Sequence, residues 1–231
     1  VHAAVFTGIL PEIESTRSRS IVEINVAGTT NLLELARRLR VGRFLYVSSG
    51  SVYGDDRAPD EVLNEESVPS PRSLYAVTKY TSELLTRRYG ELHDFETVSV
   101  RLGSPYGPME RVTGHRTNQS LLKEWTGNIV RGEPIEVAGR DAKRSFTYVS
   151  DIAAGVCTVL DAPSLSHQVY NNSSADLYAV GQVVATLQEL QPGLAVTDVP
   201  SGELPGRANR MDVTRIQEDL EFIPLFDLRS G

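Results

Sequence analysis

The chain has 231 residues, 40% hydrophobic and 23% charged, which is enough to bury a core as one large domain or two unequal lobes. Its net charge of -7 and pI near 5.2, with arginines scattered along the chain, argue against a nucleic-acid partner. No apolar run approaches the roughly 20 residues that span a bilayer, so we expect no membrane partner and a reducing, cytoplasmic setting.

The first half of the chain alternates between strand and helix patterns. Residues 1–8 read as a strand end that runs into a loop, and residues 20–40 have the apolar spacing of an amphipathic helix, with arginines in its last turn. Residues 43–54, "RFLYVSSGSVYG", predict a buried strand and its exit loop. After a polar loop at 55–71, a second helix is predicted over residues 74–89, ending at Gly90 as its C′ glycine.

The second half continues with a strand and loop within residues 97–108, "TVSVRLGSPYGP", followed by shorter strands and helices. The apolar run at 151–162 predicts a helix that holds the single cysteine, Cys157, as a small buried hydrophobe. This alternation predicts βαβ units and an α/β fold with a mostly parallel sheet. Ligands bind such sheets in a crevice at the carboxyl ends of the strands.

A tyrosine and a lysine on the second helix are the first candidate site residues. Tyr75 and Lys79 are four residues apart, so both face one side of the helix, and Ser48 and Ser49 end the preceding strand. A phenol has a pKa of about 10, and lowering it to about 7 takes about 4 kcal/mol of preferential phenolate stabilisation, for which the lysine cation is the source. The set suits proton transfer coupled to hydride transfer to a cofactor. An exposed helix turn is the structural alternative.

Several segments in a fixed order resemble the NAD-dependent epimerase/dehydratase family of extended short-chain dehydrogenases/reductases. They are "VHAA", "NVAGTTNLLELA", "FLYVSSGSVYG", "YAVTK", "RLGSPYGP", "RSFTYVSDIAAGV" and "VYNNSS", and together they cover nearly the whole chain. The resemblance implies Tyr75 as the acid/base, Lys79 as the residue that binds the nicotinamide ribose and lowers the tyrosine pKa, and Ser49 as the hydroxyl that holds the reacting oxygen. It implies further contacts with the cofactor, NAD or else NADP, from His2, Ala3, Ala4, Asn25, Val47, Ser48 and Leu102.

The resemblance also implies a domain layout. It predicts a Rossmann-like, doubly wound parallel sheet over residues 1–107, without its N-terminal strands. A smaller α/β substrate lobe is predicted at 108–231, from which 144–175 return to the sheet. Family members open with a glycine-rich loop, which this sequence lacks. We therefore expect the native protein to be longer by about two βαβ units of about 30 residues each.

The predicted reaction follows from the residues after Ser49. Dehydratases of the family place an Asp-Glu pair there, whereas this chain has Gly50 and Ser51. The leading interpretation is therefore an NAD(P)-dependent nucleotide-sugar epimerase. A dehydrogenase of a free sugar or sugar acid, and a non-catalytic dinucleotide sensor, remain alternatives.

The substrate contacts are predicted from the same resemblance. Arg144 matches an arginine that contacts the diphosphate in nucleotide-sugar enzymes, and Arg116 lies in an unusual segment suited to a sugar carboxylate. The predicted substrate-binding residues are Ser49, Ser51, Ser104, Arg116, Arg144 and Arg207. The family's downstream Arg-x-x-Asp clamp is not recognisable here, and Arg207 or Arg210 is expected to take its place. No cluster has metal-ligand spacing. Family members often dimerise through two helices, here residues 20–40 and 74–89, so we expect a homodimer.

Overall fold

The computed structural model describes residues 1–58, 60–116, 119–200 and 209–231. The α-helices are α1 Pro11–Val22, α2 Gly28–Leu39, α3 Leu74–His93, α4 Leu121–Arg131, α5 Val149–Asp161, α6 Val180–Leu190 and α7 Thr214–Leu220. A π-helical segment, Glu23–Ala27, joins α1 to α2, and a 3₁₀ turn, Gly50–Tyr53, follows the first strand.

The strands are β1 Arg43–Ser49, β2 Val62–Leu63, β3 Glu96–Leu102, β4 Pro105–Tyr106, β5 Ile135–Val137, β6 Lys143–Arg144, β7 Thr147–Tyr148, β8 Val169–Asn172, β9 Tyr178–Ala179, β10 Val196–Asp198 and β11 Arg210–Met211. The main sheet is parallel, in the order β1-β3-β8. His2 pairs with β1 on the side away from β3, since its N–H donates to Leu45 O and its carbonyl accepts from Val47 N.

Helices cover both faces of this sheet. Phe44 and Tyr46 pack on Leu33 and Ala36 of α2, and partly buried residues of α3 adjoin this cluster. The alternate residues of β1 and β3 pack with α5 and α7 on the opposite face. A further apolar cluster joins α4, β5 and α6 around Trp125. The α/β class and the parallel sheet that the sequence predicts are therefore confirmed.

The helix bounds differ from prediction in two places. The helix expected at 20–40 begins at Pro11 instead, since proline suits a first turn whose N–H groups have no helical partner. The helix expected to end at Gly90 continues to His93 and is capped by Asp94 in the left-handed conformation. Gly90 lies inside α3, where a Cβ would come within 2.5 Å of Thr97 Oγ1. This glycine therefore permits close packing on β3 and does not end the helix.

The prediction for Cys157 was also wrong. It lies on α5 as expected, but its side chain is exposed, because α5 turns Ile152, Gly155 and Val159 toward the sheet. An apolar run therefore does not by itself show which way each of its residues faces.

Candidate active site

The three predicted catalytic residues lie toward the carboxyl edge of the main sheet. Ser49 ends β1 and is paired with Leu102 at the end of β3, and the segment after His2 leaves the sheet at the same edge. The N-terminal part of α3 brings Tyr75 and Lys79 to this edge. This helix begins there because the Ser73 side chain caps it, accepting a hydrogen bond from Ala76 N at 3.2 Å.

Lys79 is buried against β1. Its side chain is 2% exposed, and its Nζ donates a 2.7 Å hydrogen bond to Val47 O and lies 5.0 Å from the centroid of the Tyr46 ring. Burial lowers the pKa of Lys79 to about 8, while the nearby carboxylate of Glu83 acts in the opposite direction. An ammonium has three donors, so two N–H groups remain after the bond to Val47.

Tyr75 is half-buried beside Lys79, whose Nζ lies 5.9 Å from the centroid of the tyrosine ring. Burial raises the pKa of the phenol, and a hydrogen bond with the Ser49 side chain and the positive charge of Arg116 oppose that rise. The phenol is therefore the neutral, proton-bearing form at pH 7, and a cation near its oxygen favours release of that proton.

Three serines, Ser48, Ser49 and Ser51, lie at the end of β1 and in the 3₁₀ turn that follows it. Ser49 Oγ accepts from Ser51 N at 3.2 Å, which begins the 3₁₀ turn. The hydroxyls of Ser48 and Ser51 are buried and make no hydrogen bond to any described residue. Buried hydroxyls without partners are uncommon, so this edge has polar groups to offer a ligand.

Asn25 holds the loop after His2 against the helices. Its Oδ1 accepts from Phe6 N at 2.7 Å, and its Nδ2 donates to Phe6 O at 3.1 Å and to Thr78 Oγ1 at 2.9 Å. The carbonyl of Asn25 accepts from Thr29 Oγ1 and from Ser82 Oγ. The side-chain amide of Asn25 therefore forms its hydrogen bonds within the protein. Its partners on α3, Thr78 and Ser82, could not be predicted from the resemblance.

His2 belongs to the same buried network. Its Nε2 lies 2.9 Å from Thr29 Oγ1, and burial, with the charge of Lys79 as a further cause, lowers its pKa to about 4. The imidazole is therefore neutral at pH 7. Ala3 and Ala4, which follow it, are exposed.

Arg116 reaches the site from the segment after β4. Its Nη2 donates to Glu110 Oε1 at 2.6 Å, its Nε is buried without a partner among the described residues, and its charge acts on Tyr75. Sequence analysis selected Arg116 but missed Glu110, which is six residues earlier in an irregular segment. No periodicity links two loop residues at that spacing.

The remaining predicted substrate residues lie farther along the chain. Ser104 is exposed, and its carbonyl accepts from Thr147 N at 2.9 Å. Arg144 is half-buried in β6, which pairs with β9, and burial lowers its pKa. Arg207 lies outside the described residues.

Within the described ranges, no group of three or more His, Cys, Asp or Glu side chains is placed to hold a metal. Nor does any helix there combine the length and apolar character that a membrane crossing requires.

Comparison with known families decides the relationship. The family described as "NAD dependent epimerase/dehydratase family" matches residues 1–172. The chain belongs to this family. Its curated members and solved structures include similar proteins that act on, or are bound to, nucleotide sugars.

Two similar proteins show that the relatives include both a dehydratase and an epimerase. The chain is 29% identical over 235 residues to the dTDP-glucose 4,6-dehydratase of Streptomyces niveus, covering 100% of this chain and 66% of that protein. It is also 29% identical over 195 residues to the UDP-glucuronate 4-epimerase of Thermodesulfobacterium geofontis, covering 82% and 56%. The chain spans between 46% and 66% of the length of the similar curated proteins, for instance 50% of Protein CapI of Staphylococcus aureus.

A solved structure of the family has the same architecture. MoeE5 in complex with UDP-glucose and NAD matches with a TM-score of 0.85 and 29% sequence identity, over 100% of this chain and 75% of that one. The Rossmann-like sheet predicted from the sequence is therefore confirmed.

Proposed function

We propose that the protein containing this chain is an NAD(P)-dependent nucleotide-sugar epimerase that uses Ser49, Tyr75 and Lys79 as its catalytic set. The observation that carries the proposal is the convergence of these three side chains at one strand edge. Ser49 is hydrogen-bonded to Tyr75, and the Lys79 cation lies beside the ring. Membership of the epimerase/dehydratase family supports the same chemistry.

The residues at the sheet edge suit a nicotinamide nucleotide. Lys79 has two N–H donors left for ribose hydroxyls, and the exposed Ala3 and Ala4 leave the strand end open to a flat ring. Asn25 and His2 position the adjoining loop. The cofactor supplies a site that takes a hydride from the sugar carbon and returns it. NAD is the cofactor of the similar MoeE5 complex, and NADP suits the same residues.

The protein side of the reaction is proton transfer. Tyr75, as the phenolate, takes the proton of the sugar hydroxyl while Ser49 holds the same oxygen, and it returns the proton when the carbonyl is reduced on its other face. Lys79 stabilises the phenolate as a neighbouring cation. The hydride and the proton leave the same carbinol group, so atoms and electrons balance without a further reactant.

Epimerisation is favoured over dehydration by the residues after Ser49. Elimination of water needs an acid and a base, and Gly50 and Ser51 provide no carboxyl group there. A Cβ at residue 50 would come within 2.7 Å of Met211 Sδ, so an aspartate at this position would require Met211 to move. This packing supports an epimerase even though a dehydratase is among the similar proteins.

Two alternative functions remain. Arg116 near Tyr75 favours a dehydrogenase of a sugar acid as the second candidate, since a guanidinium binds a carboxylate in bidentate geometry. A dinucleotide sensor has no need of a phenol paired with Ser49 and Lys79, so these residues argue against it.

We also propose that residues 108–231 form mainly the substrate lobe, with Ser51, Ser104, Arg116 and Arg144 as substrate contacts.

The proposed partners are a nucleotide sugar or sugar acid and a second copy of this chain. The outward faces of α2 and α3 expose Leu35, Leu39 and Leu84 by 48%, 67% and 41%. Apolar side chains grouped on two adjacent helices suit a four-helix interface between copies. The exposed free thiol of Cys157 is consistent with a reducing, cytoplasmic setting.

A direct assay tests the reaction type. Full-length protein is incubated with NAD or NADP and a panel of UDP-sugars and free sugar acids, while reduced nicotinamide is followed by absorbance and sugars are separated by chromatography. A new sugar isomer without accumulating reduced cofactor supports the epimerase. A stoichiometric rise in reduced cofactor identifies the dehydrogenase. Cofactor binding without either product supports the sensor and contradicts both enzymes.

A further inference from the structure

Two buried side chains of opposite charge lie one turn apart on α3. Lys79 and Glu83 are separated by four residues, and both are among the buried residues of this helix. Side chains at this spacing are neighbours, with Cβ atoms about 5–6 Å apart, and a lysine and a glutamate so placed attract each other. Burial strengthens that attraction. Glu83 is therefore a competitor for the Lys79 ammonium, whose Nζ lies 5.9 Å from the centroid of the Tyr75 ring.

Each of the two side chains is nevertheless bonded to another partner. Lys79 Nζ donates to Val47 O at 2.7 Å. Both oxygens of Glu83 accept from Arg101, Oε1 from Nε at 3.0 Å and Oε2 from Nη2 at 2.7 Å. Among the ion pairs of the described residues, none joins Lys79 to Glu83. The bidentate geometry thus directs the carboxylate at Arg101.

Arg101 is held in place by the sheet and by the turn after β1. It lies in β3, is 3% exposed, and is paired in register with Asn171 of β8. Its Cζ lies over the ring of Tyr53, 4.8 Å from the centroid, and the Tyr53 hydroxyl donates to Asn171 Oδ1 at 2.8 Å. A guanidinium keeps its charge over the whole working range of pH. Arg101 is therefore a fixed and permanent partner for Glu83.

The titratable groups around Lys79 come from the first residues, β1 and α3. His2 is neutral at pH 7, since its pKa is about 4. Tyr46, whose ring centroid is 5.0 Å from Nζ, and Tyr75 are neutral phenols, because burial raises the pKa of each. Glu83, paired with Arg101, is the anion among these groups, and its charge acts on Lys79. The placement of this one carboxylate decides how much of the lysine charge is neutralised.

We propose that Arg101 is a positioning residue that holds the Glu83 carboxylate away from Lys79. The ammonium then stays bonded to Val47, and its charge and remaining N–H groups are available to Tyr75 and the cofactor. The inference rests on the proposed function for its use in catalysis, since Arg101 acts on the reaction through Lys79. Without Arg101, Glu83 turns to Lys79, and the Tyr75 phenolate loses the cation that stabilises it.

Titration of the Lys79 ammonium tests the proposal without requiring turnover. Full-length protein is labelled with ¹⁵N-lysine, the Lys79 signal is identified by its absence in Lys79→Met, and its midpoint is followed by NMR. In Arg101→Met the freed carboxylate should raise the midpoint by about one pH unit, as a close opposite charge does. Glu83→Gln should lower it. An unchanged midpoint in Arg101→Met shows that Glu83 does not turn to Lys79 and overturns the proposal.

Reaction rates separate positioning from stability. Arg101→Met and Glu83→Gln both break a buried ion pair and both lower the free energy of unfolding, but only Arg101→Met frees an anion. With the sugar identified in the panel, kcat/KM at pH 7 should fall about tenfold in Arg101→Met and by no more than about threefold in Glu83→Gln. Equal losses in the two variants show a merely structural pair and overturn the proposal.

Two further variants complete the comparison. Arg101→Gln keeps an amide that donates to Glu83, so its Lys79 midpoint should rise by less, and it replaces Arg101→Met if that variant does not fold. Arg131→Gln breaks an exposed pair with Glu133 at the end of α4 and should leave midpoint and rate unchanged. An equal shift in Arg131→Gln traces the effect to net charge and overturns the proposal. Lack of turnover in wild-type protein contradicts the proposed function alone, since the midpoints still decide the inference.

Discussion

The Nζ atom of Lys79 lies 5.9 Å from the centroid of the Tyr75 ring while it donates a 2.7 Å hydrogen bond to Val47 O. One turn of α3 thus places a phenol and a buried cation on one side, and β1 fixes the position of the cation. The strand carbonyl orients the ammonium without neutralising it. Because Lys79 is buried and bonded to β1, Tyr75 and Lys79 are not part of an exposed helix turn, which was the structural alternative from sequence. The pair is therefore a candidate for catalysis.

His2 should make the fold sensitive to acid. Its folded-state pKa of about 4 lies below the ordinary 6.5, so the unfolded chain binds more protons between these values and the free energy of unfolding falls as the pH drops from about 6.5 to 4. The loss should approach about 3 kcal/mol. Urea unfolding across this range should show a flatter pH dependence in His2→Gln, whereas His93→Gln, at an exposed helix end, should resemble wild type. Equal pH dependence in the His2 variant and wild type would refute the assignment.

The buried pair of Glu83 and Arg101 should be strongly coupled. Both side chains are 4% exposed and joined by two hydrogen bonds of 3.0 and 2.7 Å. Glu83→Gln leaves a buried arginine charge and should lower the free energy of unfolding by about 3 kcal/mol or more. Glu83→Leu combined with Arg101→Met should cost less than the two single changes added together.

The control for this pair is Glu91, which contacts Arg88 on the exposed side of α3. Glu91→Gln should change stability by less than about 1 kcal/mol, because surface ion pairs contribute little. Urea unfolding of the five variants gives the coupling free energy. Strict additivity of the two buried changes would show that the pair is not coupled.

Asn25 should control the shape of the cofactor edge through Phe6. Asn25→Asp cannot donate to Phe6 O or Thr78 Oγ1 and buries a carboxylate, so the loop after His2 should loosen. We expect a loss of about 2 kcal/mol in stability and an NAD dissociation constant raised about tenfold, measured by calorimetry. Asn31→Asp, on the exposed side of α2, is the matched control. Wild-type NAD affinity in Asn25→Asp would separate this network from cofactor binding.

The exposed leucines of α2 should decide the oligomeric state. Leu35 and Leu39 are one helical turn apart and are 48% and 67% exposed. Leu35→Glu with Leu39→Glu should convert the proposed dimer to a monomer in sedimentation velocity, because charges cannot be buried between copies without partners. Val130→Glu, on α4 with 87% exposure, should leave the dimer intact. A dimer that survives the double change would place the interface elsewhere.

The sequence predicts the parallel sheet and the positions of Tyr75 and Lys79 because strand and helix periodicity determine which residues share a face. The π segment around Asn25 escapes such a prediction. One extra residue in a helical turn shifts the apolar pattern by too little to be noticed, although the Asn25 carbonyl inside this segment accepts hydrogen bonds from Thr29 and Ser82. Gly90 is a related case, since a glycine that ends a helix and one that permits close packing look alike in sequence.

The Glu110–Arg116 pair is hidden from sequence for a different reason. Its members lie in irregular backbone, where the distance between two side chains depends on the path of the loop and not on a repeat. The docking of that loop on Thr7 fixes the position of Arg116 relative to the loop after His2. Interactions between segments far apart in the chain are therefore the part of the site that required the structure.

The most direct test of the central claim is the turnover of Tyr75→Phe in full-length protein, measured beside wild type and Tyr80→Phe with NAD and the sugar identified in the panel. The phenol is the proposed acid/base, so Tyr75→Phe should reduce kcat by at least about 100-fold while NAD affinity stays nearly unchanged. Tyr80→Phe, on the same helix, should retain activity. Undiminished turnover in Tyr75→Phe would contradict the assigned role and with it the proposed mechanism.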